Sequence, residues 1–150
     1  MNTDLKIVTA GPADVGSIAP LFDGYRQFYK QASDVEGCRK FLHERLTHGE
    51  SVVFLALLDG HAVGFTQLYP TFSSLSIKPL WVLNDLFVAP GERTHDVGSA
   101  LLERARQHAL STGAKGLTLA TAIDNHTAQR VYEKLGWQRD TAFYHYSLAV

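Results

Sequence analysis

Two short segments carry side chains whose types and spacing could do chemistry. The first, LNDLFVAPGERTHDVGSALL, is an apolar run followed by a polar loop, Gly98 and an amphipathic stretch. A strand, a turn and a helix start in this order present main-chain N–H groups to an anion such as a phosphate. Asp96 departs from that pattern, because its carboxylate repels an anion. We expect an anion site that Asp96 weakens without abolishing, with Arg93 offsetting its charge. We favour Asp96 as a first-turn acid that stabilises the helix dipole, with its carboxylate pointing away from the anion, over a direct role for Asp96 in binding.

The second segment is NHTAQRVYEKLGW. Asn125 is a good N-cap for a helix with an apolar face, and Gly136 is a good residue to end it. Tyr132 lies on that face, four residues after Ala128. Its spacing alone is that of a core residue.

These side chains are positioned by alternating apolar runs and amphipathic stretches, in the order βααβββαβαβ. Strands are predicted at LKIVTA, SVVFLALL, HAVGFTQLYP, PLWVLNDLFV, GLTLATA and FYHYSLAV, and residues 137–139 can add a short one. Helices are predicted from Val15 to Tyr29, after a capping box at Ser33 and Glu36, at 97–111, and after Asn125. Asp59 and Gly60 predict a hairpin turn.

Length, composition and charge restrict the class of protein. The chain has 150 residues, 45% of them hydrophobic and 19% charged, which predicts one globular domain over residues 1–150. A net charge of -1 predicts no nucleic-acid partner and no membrane partner. The single Cys38, the absence of a signal-like N-terminus and the lack of an apolar run long enough to span a bilayer predict a cytoplasmic protein. The seven histidines have no metal-ligand spacing, so we predict no metal.

Together, the two segments and the element order resemble the GNAT superfamily of N-acetyltransferases. The first segment is similar to the family's Arg/Gln-x-x-Gly-x-Gly/Ala pattern after a strand, and the second to its Asn-x-x-Ala-x-x-x-Tyr-x-x-x-Gly-Phe/Trp helix. The resemblance implies an α/β (α+β) domain. Its central mixed, mostly antiparallel sheet of six to seven strands would be flanked by four helices and splayed at the strand that binds acetyl-CoA.

The resemblance also implies acetyl-CoA as co-substrate. The pyrophosphate would lie on the N–H groups of residues 93–98, the pantetheine arm would pair with the free edge at Phe87 and Val88, and Asn125 would bond the pantetheine amides. The residues that it assigns to acetyl-CoA are Phe87, Val88, Arg93, Thr94, His95, Asp96, Val97, Gly98, Ser99 and Asn125.

The resemblance makes Tyr132 the general acid that protonates the leaving thiolate. The nearest local pattern is that of spermidine/spermine acetyltransferases, in which a glutamate stands at the position of Asn84. Asn84 cannot take a proton usefully, so Asp85 becomes the anion that binds the amine and relays its proton, with a purely structural aspartate as the alternative. Tyr25 and Tyr29 on the first helix are the better of several candidates for the acceptor pocket; the others are Tyr69, Tyr144 and His145.

Three functions remain open. The first is acetyl transfer to a primary amine of a small, polyamine-like acceptor. The second is the same reaction on an aminoalkylphosphonate, an amino acid, an antibiotic or a protein lysine. The third is an acetyl-CoA-binding module without turnover, which Asn84 and Asp96 suggest and Tyr132 argues against. The aromatic final strand further predicts a homodimer.

Overall fold

The structure is a computed structural model that describes residues 4–93 and 96–150. Its strands are β1 (Leu5–Thr9), β2 (Val52–Leu58), β3 (His61–Ser73), β4 (Lys78–Val88) and β5 (Leu117–Thr118). Its helices are α1 (Val15–Phe28), α2 (Val35–Thr47), α3 (Val97–Ser111) and α4 (His126–Lys134), with a short 3-10 turn at Pro12–Asp14. The chain divides into two compact units, one that ends at Ala120 and one that spans Thr121–Val150.

The five strands form one mixed sheet in the order β1-β2-β3-β4-β5. The first three pairings are antiparallel and the pairing of β4 with β5 is parallel. The predicted turn at Asp59 and Gly60 joins β2 to β3, and both residues have positive φ (50° and 84°). Positive φ at both central residues is the geometry of a tight hairpin whose twist matches its strands, so this turn fixes the first pairs between β2 and β3, up to a register shift at Ala56 and Leu57.

The two faces of the sheet are covered by different helices. Phe65 of β3 stacks on Phe22 of α1, with ring centroids 5.9 Å apart. Its neighbour Gly64 faces α3 so closely that an added Cβ would lie 3.2 Å from a Val97 methyl carbon. Because successive residues of a strand point to opposite faces, α1 and α3 pack on opposite sides of β3. The side of α1, which α2 joins, carries the polar cluster described below.

The start of α2 differs from the prediction by one residue. The N-cap is Asp34, whose carboxylate accepts a hydrogen bond from the Gly37 N–H, 2.9 Å away. The predicted cap, Ser33, donates its hydroxyl instead to the buried carboxylate of Asp23 in α1, at 2.7 Å. That tertiary bond removes Ser33 from the capping position, and Asp34 takes over a role that the capping box assigned to Ser33 and Glu36.

The prediction of six to seven strands is wrong, because the described residues form five. The segment GLTLATA contributes only Leu117 and Thr118, and residues 137–139 and 143–150 form no strand. The aromatic side chains of the last segment are exposed, among them Tyr144 and Tyr146 at 90% and 92%. Alternation of apolar residues gives a strand propensity, but a strand exists only through ladder partners, and 143–150 pair with none in the described chain.

The unit at Thr121–Val150 contains α4, which begins as predicted. The Asn125 side chain accepts a hydrogen bond from the Ala128 N–H at 3.2 Å, and Gly136 follows the helix with a φ of 95°. Across the described residues, no helix is long and apolar enough to cross a membrane.

Candidate active site

A β-bulge in β4 carries the polar residues that the sequence singled out. Gln67 of β3 pairs with Asp85, but the next residue, Leu68, pairs with Leu83, so Asn84 is an extra residue between them. A bulge of this kind bends the strand and re-aims the side chains beside it. Asn84 is exposed at the bulge and Asp85 is buried next to it.

The buried carboxylate of Asp85 is held by two amides. Its Oδ2 accepts a hydrogen bond from Nε2 of Gln67 at 2.9 Å, and its Oδ1 accepts one from Nδ2 of Asn84 at 3.1 Å. The side chain of Thr66 also donates to the main-chain oxygen of Asp85, at 2.8 Å. None of the ion pairs within residues 4–93 and 96–150 involves Asp85. The site therefore holds a buried anion without a cation from the described chain.

Aromatic side chains lie on the same side of the sheet as this carboxylate. Tyr25 donates its hydroxyl to the main-chain oxygen of the bulged Asn84, at 3.3 Å, and its ring lies 5.2 Å from that of Tyr29 and 6.2 Å from that of Phe87. Burial, and after it the negative charge of Asp85, raises the pKa of Tyr69 to about 12. Its hydroxyl consequently remains protonated at neutral pH. The structure thus brings Tyr25, Tyr29 and Tyr69 to the same side of the sheet as Asp85.

The last residues of β4 have one unpaired edge. β4 pairs with β5 only at Trp81 and Val82, and the described residues supply no β5 partner for the rest of the strand. The fold prediction placed its splay at this part of β4, at Phe87 and Val88. The main-chain oxygen of Val88 accepts a hydrogen bond from Nε of Arg93 at 3.1 Å, and the Arg93 guanidinium lies 5.9 Å from the ring centre of Phe87. Arg93 therefore folds back on the strand end.

The start of α3 has the backbone of a glycine-type loop although its N-cap is an aspartate. Asp96 adopts the left-handed conformation, with φ 55° and ψ 29°, and its side chain makes no cap hydrogen bond. Aspartate tolerates this region better than most residues, which explains how it replaces glycine there. A Cβ added to Gly98 would meet only a Val88 methyl carbon, at 3.9 Å. The predicted residues Thr94 and His95 lie outside the described part of the chain.

The remaining predicted residues lie in the unit at Thr121–Val150. Asn125 and Tyr132 share α4, where Tyr132 is half-buried and its ring centre lies 6.1 Å from that of Trp137. Tyr144 is exposed, and His145 lies 3.4 Å from the Asp140 carboxylate. Hydrogen bonds from the main chain of Ala142 and from His145 lower the pKa of Asp140.

Comparison with known proteins decides the family. The sequence model of the acetyltransferase (GNAT) family matches residues 18–137. The chain belongs to the GNAT family.

This GNAT protein has relatives that match it over most of its length. It is 49% identical over 146 residues to an uncharacterised N-acetyltransferase of Bacillus subtilis strain 168. The alignment covers 97% of this chain and 98% of the relative. It is 31% identical over 124 residues to a probable acetyltransferase of Haemophilus influenzae, with 82% and 85% covered. A crystal structure of a probable acetyltransferase superimposes with a TM-score of 0.92, at 45% identity and 97% coverage of both chains. The protein is an N-acetyltransferase with one mixed sheet.

Sequence reasoning missed two buried polar residues of this acetyltransferase. Gln67 lies in a run that was predicted as an ordinary strand, and Asp23 was not singled out within the first predicted helix. Asp23 accepts hydrogen bonds from the Asp34 N–H and the Ser33 hydroxyl, both at 2.7 Å, and these bonds, with the main-chain bond first, lower its pKa. The signal for Gln67 was available, since Gln67 and Thr66 are the polar residues in the otherwise apolar run VGFTQL. The pairing that makes it matter depends on the bulge.

The acetyltransferase has no cluster that fits a metal within the residues that the structure describes, where no group of three His, Cys, Asp or Glu side chains converges. A cavity of about 290 Å³ lies beside α1 and α2. It is lined by Phe22, Arg26, Asp34, Gly37, Cys38 and Phe41.

Proposed function

We propose that this enzyme transfers the acetyl group of acetyl-CoA to the primary amine of a small cationic acceptor, with residues 1–150 acting as one catalytic domain. The observation that carries the choice of acceptor is the buried carboxylate of Asp85, which has amide donors but no cationic partner in the described chain. Burying an anion costs free energy that a hydrogen-bonded cation can offset. The ammonium group of an acceptor is such a cation.

Partial relatives of the chain act on amines of very different charge. They are named a D-amino-acid N-acetyltransferase of Saccharomyces cerevisiae, an aminoalkylphosphonate N-acetyltransferase of Salmonella typhimurium, and an aminoglycoside N(6')-acetyltransferase of the same species, each aligned over 57% of this chain. A phosphonate acceptor would require a surplus of positive charge. The described hydrogen-bond partners of the Asp85 carboxylate are neutral amides, and none of the ion pairs of the described chain involves Asp85. The carboxylate itself therefore favours a cationic acceptor over an anionic one.

The start of α3 fits the pyrophosphate of acetyl-CoA. The first N–H groups of a helix lack partners inside the helix and attract anions. The Asp96 carboxylate makes no hydrogen bond to them, and Gly98 keeps the approach to them clear of a side chain. On β4, the unpaired edge at Phe87 and Val88 suits the amides of the pantetheine arm, for which Arg93 would have to release the Val88 oxygen. Ser99, Val97 and the two residues before Asp96 complete this proposed site.

The chemistry follows from these placements. Acetyl-CoA supplies a thioester whose carbonyl carbon is open to attack by a neutral amine. Asp85 binds the acceptor as an ammonium ion, and the amine attacks after its proton has passed to Asp85 through a water molecule. As the C–N bond forms and the C–S bond breaks, Tyr132 donates its hydroxyl proton to the leaving thiolate. The second proton of the attacking nitrogen passes through water to the Tyr132 phenolate, which restores the acid, and the proton on Asp85 leaves to solvent. Asn125 holds the arm, and Tyr25 and Tyr29 contribute aromatic walls to the acceptor pocket.

The test compares two acceptors in wild type and Asp85→Asn. The acceptors are spermidine and an uncharged-tail primary amine of similar length, and release of free thiol from acetyl-CoA reports turnover. Loss of a charged hydrogen bond, about 1.5–3 kcal/mol, predicts a roughly ten- to hundredfold rise in KM for spermidine. The KM for acetyl-CoA should stay the same. Equal losses for both acceptors would remove the support for a cationic acceptor.

A further inference from the structure

The two polar atoms of the Gln67 amide differ in their hydrogen bonding, and the surroundings of the side chain explain the difference. It is fully buried in β3 and lies directly opposite Asp85 in the ladder. Its Nε2 donates to the Asp85 carboxylate at 2.9 Å, whereas its Oε1 is buried with no hydrogen-bond partner among the residues that the structure describes. Buried polar atoms are normally paired, so an unpaired one in a native core calls for a reason.

The reason lies in the orientation of the amide. Turning the amide over would place Oε1 against Oδ2 of Asp85, and two oxygen acceptors would face each other. The carboxylate therefore fixes the orientation of Gln67 and leaves Oε1 without a donor. An apolar side chain of the same volume would avoid this cost and would pack equally well in a strand. What it would lose is the donor to Asp85.

We propose that Gln67 is a positioning residue that fixes the carboxylate of Asp85 for the acceptor amine. The inference rests on the proposed function, in which Asp85 binds that amine. The other amide, on Asn84, is exposed, so water competes with its bond to Oδ1. The Gln67 bond is shielded from water, and a hydrogen bond in a buried site holds its geometry more strictly. Gln67 thus determines where Asp85 presents its charge.

Gln67→Met is the first test variant, because it keeps the length and volume of the side chain and removes both polar atoms. Gln67→Glu is the second, because it keeps a polar side chain but replaces the donor with an acceptor. For both we expect kcat/KM for spermidine to fall about tenfold, the size of effect when a charged group loses one hydrogen bond. The KM for acetyl-CoA should be unchanged.

Thr66→Val is the matched control. Thr66 is equally buried, is adjacent in β3 and donates to the main chain of Asp85 rather than to its carboxylate. We expect this variant to lower the melting temperature and to leave the KM for spermidine as in wild type. A fall in kcat/KM for spermidine in Thr66→Val as large as that in the Gln67 variants would mean that any disturbance of this strand pair suffices, and it would overturn the proposal.

A double-mutant cycle separates positioning from general packing. If Gln67 acts through the Asp85 carboxylate, adding Gln67→Met to Asp85→Asn should cost little beyond Asp85→Asn alone. Effects that simply multiply would overturn the proposal, as would wild-type kinetics in Gln67→Met. If the wild-type protein shows no amine-dependent release of thiol, the proposed function and this inference are overturned together. Active wild type with unaffected Gln67 variants would overturn the inference alone.

Discussion

Replacing Gly98 by alanine should raise the thermal stability of the free protein and lower its affinity for acetyl-CoA. Gly98 is the second residue of α3, and an added Cβ would touch only a Val88 methyl carbon, at the ordinary contact distance of 3.9 Å. Packing therefore gives no reason for glycine at this position. Glycine in a helix lowers the stability of the folded chain by about 0.5–1 kcal/mol relative to alanine. A ligand that approaches the backbone closely would explain why glycine occupies this position.

The two effects have opposite signs and measurable sizes. The gain in helix stability should raise the melting temperature of the free protein by about 1–4 °C, at about 2–4 °C per kcal/mol for a chain of this length. Acetyl-CoA at a hundred times its Kd stabilises wild type by about 2.7 kcal/mol, which corresponds to about 5–10 °C. A methyl group that weakened binding about a hundredfold would reduce that stabilisation to about 0.4 kcal/mol, or about 1 °C.

Thermal unfolding with and without acetyl-CoA measures both effects in one experiment. Gly16→Ala is the control, because Gly16 is the second residue of α1, also follows a valine, and has no atom within 4 Å of the added Cβ. The control should gain the same stability and keep the full shift with acetyl-CoA. An undiminished shift in Gly98→Ala would refute the assignment of this helix start to the pyrophosphate.

Three further predictions concern other parts of the chain. Tyr132→Phe should retain the fold and the acetyl-CoA shift while turnover falls by about 10²–10⁴, the contribution of a general acid, and full activity would return Tyr132 to a packing role. Burial, and after it the charge of Arg104, lowers the pKa of His108 below 6.5. The contribution of His108 to the free energy of unfolding is then fully present above about pH 6.5 and declines as the pH falls, because the unfolded chain binds the proton more readily. In His108→Gln the melting temperature should therefore depend less on pH between about pH 7.5 and about pH 5, and an unchanged pH dependence would contradict the assignment. We also expect a homodimer through the aromatic segment 143–150, and sedimentation of a monomer at micromolar concentration would contradict it.

Much of the fold follows from local signals in the sequence. The start and end of α3 agree with the prediction, as do the turn at Asp59 and the cap at Asn125, because each depends on a few neighbouring residues. The cap of α2 was missed because Ser33 is drawn into a bond with Asp23, ten residues away in the chain. The strand at 143–150 was overpredicted because pairing, rather than alternation, makes a strand.

The candidate site was predicted unevenly for the same reason. The motifs identified Asn84, Asp85 and the helix start at Gly98, since these positions are adjacent in sequence. Neither motif includes Gln67, and its polarity within an apolar run does not reveal the carboxylate that it faces across the strand pair. The motifs also could not show that Arg93 folds back onto Val88 rather than toward Asp96, because the sequence offers both partners at short range.

The extra residue at the bulge, Asn84, explains why the acidic side chain of Asp85 faces the proposed acceptor site. Without a bulge, residues 83, 85 and 87 of β4 would share one face of the sheet, because side chains alternate. The insertion of Asn84 breaks that alternation: Leu83 lies opposite Leu68, while Asp85 lies opposite Gln67. Neighbouring residues 67 and 68 point to opposite faces, so Asp85 is on the side of α1 and Leu83 is on the side of α3. The bulge therefore buries a leucine in one core and turns a carboxylate, two residues later, toward the aromatic side chains on the other face.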